Sequence, residues 1–142
     1  MIISGDNACL ACLLHNPSKV KEVLINKEKK ANYLKIIQKY NLIKNTRYID
    51  KKDLQKIDKD NFRQSNDIII RREEYGSSSL EDICRSNNEN SIIVALDQLT
   101  DHNNLGNIIR TCLLIGVNGI IIPEHSSAPI TGSIATTSAG AI

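Results

Sequence analysis

The chain has 142 residues, a formal net charge of +2, 41% apolar and 24% charged residues, and no Trp. That length allows one domain or two small ones, and the composition is that of a globular protein whose cores rely on Ile, Leu, Val and Ala. No apolar run approaches membrane-spanning length, no basic stretch opens a signal peptide, and neither an internal repeat nor a low-complexity segment is present.

The small net charge hides an asymmetry. Residues 1–72 carry 16 Lys and Arg against 8 acids, a charge of +8, while residues 73–142 carry 2 against 8, a charge of −6. Every lysine lies between Lys19 and Lys59. A basic half joined to an acidic half points to a polyanion meeting the first half. A Lys- and Asn-rich composition from an AT-biased genome is the alternative.

Asp6 is expected to cap a helix from Asn7 to His15, which Asn16-Pro17-Ser18 ends. Cys9 and Cys12 form a C-x-x-C there. Among Ala8, Leu10, Ala11, Leu13 and Leu14 they read as small core residues, and the second ligand pair of a zinc site is missing. With Cys84 and Cys112 also on apolar helix faces, the four make no disulfide set and suit a reducing cytosol. Val20 to Ile25 reads as a strand. Lys29 to Tyr40 reads as a basic amphipathic helix turning Leu34, Ile37 and Tyr40 inward. Thr46 to Ile49 is a strand, Asp50 the cap of a short helix carrying Leu54 and Ile57, and Asn66-Asp67 a turn into a strand at Ile68 to Ile70. Residues 1–73 thus form a small α/β unit. Residues 74–90 read as a linker: Gly76-Ser77-Ser78-Ser79, then a short helix to Arg85 for which Ser78 and Glu81 have capping-box spacing.

From Ser91 the pattern changes. An apolar strand, Ile92 to Leu96, runs into a polar turn over residues 97–104. Leu105, Ile108, Ile109, Cys112 and Leu113 then recur at helical spacing, Gly116 stops the helix, and Gly119 to Ile122 is a second strand. This is the strand–loop–helix–strand grammar of a parallel sheet. The unbroken apolar run Ile92–Leu96 is that of a strand buried on both faces. Pro123 closes the second strand, residues 124–129 form a loop, Thr131 to Thr137 a helix of small residues, and Ser138-Ala139-Gly140-Ala141 trails off. With two strands only, this unit is expected to be loosely structured or to associate through its open edges.

Asp101-x-x-Asn104-x-Gly106-x-x-x-Arg110, set after an apolar strand and followed by Gly116-Val117-x-Gly119-Ile120-Ile121, resembles the first signature motif of the SpoU, or TrmH-like, RNA 2′-O-ribose methyltransferases. These belong to the SPOUT class of knotted α/β enzymes. Ser127-Ala128-Pro129 and Ser138-Ala139-Gly140-Ala141 continue the resemblance. The first unit is similar to that family's N-terminal RNA-binding domain, itself similar to ribosomal protein L30e. Gly5-x-Asn7-Ala8 opens it, and Arg63-Gln64-Ser65 stands where His-Gln-Gly is typical. His102 stands where the family has Pro, a departure that loosens the loop. The resemblance implies an α/β fold class: an L30e-like substrate-binding domain at 1–73, a linker at 74–90, and at 91–142 the front of a SPOUT parallel-sheet domain. The family's second (Gly-x-Glu-Gly) and third (Ile-Pro…Ser-Leu-Asn) motifs, which build the knot and most of the S-adenosylmethionine pocket, are not among these residues. It further implies methyl transfer from S-adenosylmethionine to a ribose 2′-hydroxyl, ribosomal (23S) RNA as partner, a homodimer in the complete enzyme, no membrane, and a cytoplasmic setting. These 142 residues by themselves are then expected to bind no cofactor and to be inactive.

By the same resemblance Arg110 acts on the 2′-hydroxyl or its neighbouring phosphate. Arginine is effectively never deprotonated, so a fixed guanidinium steadying a developing alkoxide is the easier role than a base. A surface ion pair with Asp101 is the alternative. Asn104 is placed at the helix N-cap, where its side chain can cap the backbone, and contact with the target nucleotide is implied by the resemblance. Gly106 serves either close approach of substrate or packing. Lys29, Lys30, Lys35 and Lys39, with the Lys51-Lys52 pair, are the candidates for RNA phosphates; Arg63 and Gln64 join them by resemblance. Such contacts give a salt-dependent, largely sequence-independent affinity. Tyr33, Tyr40, Tyr48 and Phe62 are too few to indicate stacking on unpaired bases, and no metal site is expected. Two readings compete: a non-catalytic RNA-binding module, and an unrelated nucleotide-binding α/β protein, against which the lack of G-x-G-x-x-G counts.

Overall fold

The computed structural model describes residues 1–59, 61, 66–86, 90–125 and 127–142. β1 (Ile2–Ser4) leads into α1 (Asp6–His15), β2 (Val20–Asn26) into α2 (Lys30–Lys39), and β3 (Thr46–Ile49) into α3 (Lys51–Ile57); β4 (Ile68–Arg72) completes a sheet of order β1-β4-β2-β3. β4 is antiparallel to both neighbours and β3 is parallel to β2. β1, β2 and β3 therefore share one direction, and all three helices start from one end of the sheet.

Alternation along the strands builds two cores. Val23, Ile25, Ile68 and Ile70 join Ile3, Cys9, Leu13, Tyr33 and Ile37 under α1 and α2. Leu24 and Ile69 face the other way, onto Leu54 of α3. From α1 to β4 the strands and helices fall close to where the apolar pattern puts them, whereas β1 is a strand where none was expected, and the polar side chains at the helix ends do not behave as expected. Gly5, at φ +94°, holds the N-cap of α1 without a side-chain bond; Asp6 is already helical, and its Oδ1 accepts from the Asp67 N–H at 3.3 Å, tying α1 to β4. Asp50 does not cap α3 with its side chain but pairs with Lys27 Nζ at 2.6 Å. In α4 (Leu80–Ser86) the reciprocal cap lies one residue later than its spacing predicts: Ser79 Oγ accepts from the Asp82 N–H at 3.1 Å, and the Ser79 N–H donates to Asp82 Oδ2 at 3.4 Å. Tyr33 rather than Leu34 is the buried partner of Ile37. Burial first, and Asp6 second, push the Tyr33 phenol above its usual range.

Cys9 and Cys12 are core thiols. Burial is the main force raising both, helped at Cys9 by Cys12 and Asp6 and opposed at Cys12 by Arg72. Since the thiolate is the reactive form, a raised pKa keeps both protonated at pH 8. Iodoacetamide at pH 8 is expected to label Cys9 and Cys12 far more slowly in the folded protein than in urea, as mapped by mass spectrometry. Equal rates would show that α1 is not packed as described.

β5 (Ile93–Ala95) pairs in parallel with β6 (Gly119–Ile121), linked by α5 (His102–Leu114). Leu105, Ile109, Ala128 and Ile134 form a second core with Leu96, Ile120 and Ile122. The run Ile92–Leu96 is not buried on both faces: Ile92 is 51% and Ile93 38% exposed, because that core covers one side of β5 only. Backbone amides of β5 and β6 are accordingly expected to exchange with deuterium well before those of β2 and β4, where Ile68, Ile69 and Ile70 are fully buried. Equal protection in a monomer would contradict this.

The helix of small residues expected at 131–137 forms, and residues 138–141 pack rather than trail off. α6 (Gly132–Thr137) lies along the outer edge of β1. Thr136 Oγ1 accepts from the Ser4 N–H at 3.3 Å, and Ser133 Oγ donates to Asn61 Oδ1 at 2.9 Å. Ala135 enters the first core while Ile134 enters the second, and Gly140 packs on Ala8 and Ala11 of α1. A sheet edge that would otherwise stay open is thus closed by a helix.

Candidate functional site

α5 carries the motif residues. Its N-cap is Asp101, not Asn104: Asp101 Oδ1 accepts from the Asn104 N–H at 2.7 Å. His102 is then the first helical residue, the position that also suits Pro, and the cap stays intact. Asn104 lies within the first turn, with its side chain exposed. Arg110 is exposed, and no carboxylate among the described residues pairs with it, Asp101 included. Six positions apart, Asn104 and Arg110 stand roughly 120° apart around the helix. The exposed polar residues that share the face of Arg110 are Asn103 and Asn107; Leu113 and Leu114, one turn on, continue that face and are exposed too. The i, i+4, i+7 spacing of Asn103, Asn107 and Arg110 was there to be read in the sequence. Asn103 Oδ1 also accepts from Thr137 Oγ1 at 3.4 Å, which fixes this face relative to α6.

Gly106 is buried, and a β-carbon there would meet Thr137 Cβ at 2.7 Å. Its missing side chain lets α5 and α6 approach, and that role is packing. Gly116, at φ +76°, ends α5 as expected.

The candidate RNA-binding lysines are not brought together in one place. Lys29 and Lys30 stand at the start of α2, at the carboxyl end of β2, with the Lys30 ammonium 4.8 Å above the Tyr48 ring. Lys35 and Lys39 lie one turn apart farther along α2, Lys39 over Tyr40 at 5.2 Å. All four are exposed and lack a carboxylate partner among the described residues. Lys51, by contrast, pairs with Asp67 at 3.3 Å. Arg63 and Gln64 lie outside the described residues.

Residues 91–142 match the family model for the SpoU rRNA Methylase family. The resemblance carried by the Asp101–Arg110 motif is thereby borne out. A putative TrmH family tRNA/rRNA methyltransferase of Bacillus subtilis, YacO, is 32% identical over 91 residues, covering 62% of this chain and 36% of that protein. The 23S rRNA (guanosine-2′-O-)-methyltransferase RlmB of Haemophilus influenzae is 27% identical over 98% of this chain and 57% of its own length. The crystal structure of the SpoU methyltransferase AviRb from Streptomyces viridochromogenes, in complex with AdoMet, shares the fold with a TM-score of 0.72, at 19% identity, over 99% of this chain and 51% of that one. The chain therefore spans from about a third to just over half of these relatives.

A groove of about 730 Å³ lies between α4, α5 and β6. Ile83, Ile109, Leu113, Ile120 and Ile122 wall it, with Glu124 and Ser127 at one end; no Lys or Arg lines it. S-adenosylmethionine carries a carboxylate, and with no cation in the lining these residues do not by themselves fit that cofactor.

Proposed function

We propose that the segment matching the SpoU family serves an RNA methyltransferase that uses S-adenosylmethionine and methylates a ribose 2′-hydroxyl, with ribosomal RNA as substrate. One observation carries this reading: the family match falls on a capped helix that presents Arg110, exposed and unpaired, beside Asn103 and Asn107. The names of the H. influenzae and B. subtilis relatives, both RNA methyltransferases, support RNA as the substrate class. In this reading the Arg110 guanidinium steadies the alkoxide character that the 2′-oxygen gains as its proton passes to solvent, before that oxygen takes the methyl group, and Asn104 contacts the target nucleotide. Residues 1–73 act as an L30e-like RNA-binding domain, joined through 74–90. The active form is a homodimer working in the cytoplasm. Residues 1–142 by themselves bind RNA but neither hold the cofactor nor transfer a methyl group, in keeping with the apolar lining of the groove.

Calorimetry on residues 1–142 tests this directly. Titration with ribosomal RNA fragments at low salt is expected to give saturable heat, and titration with S-adenosylmethionine none. Micromolar cofactor binding without RNA binding would reverse the assignment of parts.

A further inference from the structure

The basic half of the chain is basic at one end only. At the carboxyl ends of β2 and β3, Lys27 is held by Asp50 at 2.6 Å and Lys51 by Asp67 at 3.3 Å. Glu28 and Asp6 also stand there, so Lys29, Lys30 and Lys52 meet a nearly balanced surface. The amino ends of the same strands differ. Lys21 is the second residue of β2, Lys44 lies two residues before β3, and the Asn45 side chain ties the two segments by donating to the Lys21 carbonyl at 2.9 Å. The last turn of α2 brings Lys39 to this end, with Lys35 one turn behind. β4, running the other way, delivers Arg71 and Arg72. The acids here are Glu22, Glu73 and Glu74. Glu22 is engaged by Arg47 at 3.2 Å and Arg71 at 3.3 Å, Glu73 by Lys19 at 3.0 Å, and Glu74 by the Met1 amino group at 2.9 Å. Lys21, Lys35, Lys39 and Lys44 are all exposed and have no carboxylate partner among the described residues.

Resting on the RNA-binding reading above, we infer that the RNA contact is made at the amino-terminal end of β2 and β3, by Lys21 and Lys44 with Lys35 and Lys39, and that it grips backbone phosphates rather than bases. Four unpaired ammonium groups around one end are a phosphate-binding surface, since each phosphate neutralised releases counterions. The tyrosines of this unit offer no platform for unpaired bases: Tyr33 is 4% exposed, Tyr40 has Lys39 above it, and Tyr48 has Lys30 above it. Stacking readers need open aromatic faces. The ligand this surface fits is a folded RNA whose duplex stem presents a regular row of phosphates.

The test uses residues 1–142, a fluorescent RNA stem-loop and a fluorescent oligo(U), with anisotropy read across a salt series. The double variant Lys21→Glu/Lys44→Glu is expected to bind the stem-loop at least tenfold more weakly, with the slope of log K against log salt reduced by about 2. Lys21→Arg/Lys44→Arg keeps wild-type binding. Lys29→Glu/Lys30→Glu, at the other end, stays within about threefold of wild type, because that surface is already balanced by its acids. Circular dichroism confirms that all variants fold. If Lys21→Glu/Lys44→Glu binds like wild type, or both reversals weaken binding alike, the location is wrong while the RNA-binding reading stands. Oligo(U) binding as tightly as the stem-loop overturns phosphate-only recognition of a duplex. If the wild-type chain binds neither RNA at low salt, the RNA-binding reading itself falls, and the site with it.

Discussion

Gly132→Ala is expected to destabilise the folded chain by about 3 kcal/mol, the upper end of what overpacking costs, and to lower its Tm by about 10 °C. A β-carbon on Gly132 would overlap the carbonyl oxygen of Ile2. Backbone cannot swing aside as a long side chain can, so α6 must lift off β1. Lifting it also breaks the Thr136–Ser4 and Ser133–Asn61 hydrogen bonds and withdraws Ala135 from the first core. Two comparisons separate this cause from a general sensitivity of α6. Ser133→Ala removes only the bond to Asn61 and costs about 1 kcal/mol. Gly106→Ala sets its new carbon 2.7 Å from Thr137 Cβ, an atom fixed to the α6 backbone, a smaller overlap than at Gly132 that a slight parting of α5 and α6 relieves, and costs about 1–2 kcal/mol. Thermal melts that rank Gly132→Ala last confirm the contact. A Gly132→Ala melt that matches wild type means that α6 does not lie on β1.

Arg110→Ala is expected to leave stability within about 0.5 kcal/mol of wild type, as for an exposed residue without partners, yet to cost activity heavily. The activity test joins residues 1–142 to the C-terminal portion of the B. subtilis relative and measures methyl transfer to ribosomal RNA. Losing one fixed donor aimed at a developing oxyanion typically lowers the rate by about 10²–10³. Arg110→Lys recovers little, because a lysine ammonium does not reproduce the planar guanidinium fork. RNA affinity stays nearly unchanged, since the lysines supply it. An Arg110→Ala enzyme that turns over normally removes Arg110 from the chemistry. One that unfolds means that Arg110 is structural, as the ion-pair alternative held.

Much of the fold was legible because it follows from apolar period. Val20–Ile25, apolar at Val20 and again from Val23 to Ile25, becomes β2, Ile68–Ile70 has one face for each core and becomes β4, and Leu105, Ile109 and Cys112 line the buried side of α5. Polar ends were less legible, because a carboxylate has several donors to choose from. Asp6 and Asp50 have sequences fit for caps, yet tertiary neighbours claim them: the Asp67 N–H for one and Lys27 for the other. Asp101, three residues before Asn104, takes the cap assigned to Asn104. Small residues hid the largest feature. Thr131 to Ala141 shows no strong apolar stripe, yet glycines and alanines are what let α6 sit directly on β1 and α1. Strand exposure was misjudged in one respect: the apolar run Ile92–Leu96 records what a strand is built to be covered by, not what covers it among these residues. In the basic half, composition gave the charge but not which lysines are cancelled. Only the pairing of Lys27, Lys51 and Lys19 with acids shows where free cations remain.

The most direct measurement of the central claim is the chemical position of the transferred methyl group. The joined protein is incubated with ribosomal RNA and S-adenosylmethionine labelled in its methyl group, and the RNA is hydrolysed with alkali. A 2′-O-methyl blocks attack on the adjacent phosphodiester, so the label is expected in alkali-resistant dinucleotides and to vanish with Arg110→Ala. Label released in mononucleotides, which marks a methylated base, or no Arg110-dependent label at all, would contradict a ribose methyltransferase built on this helix.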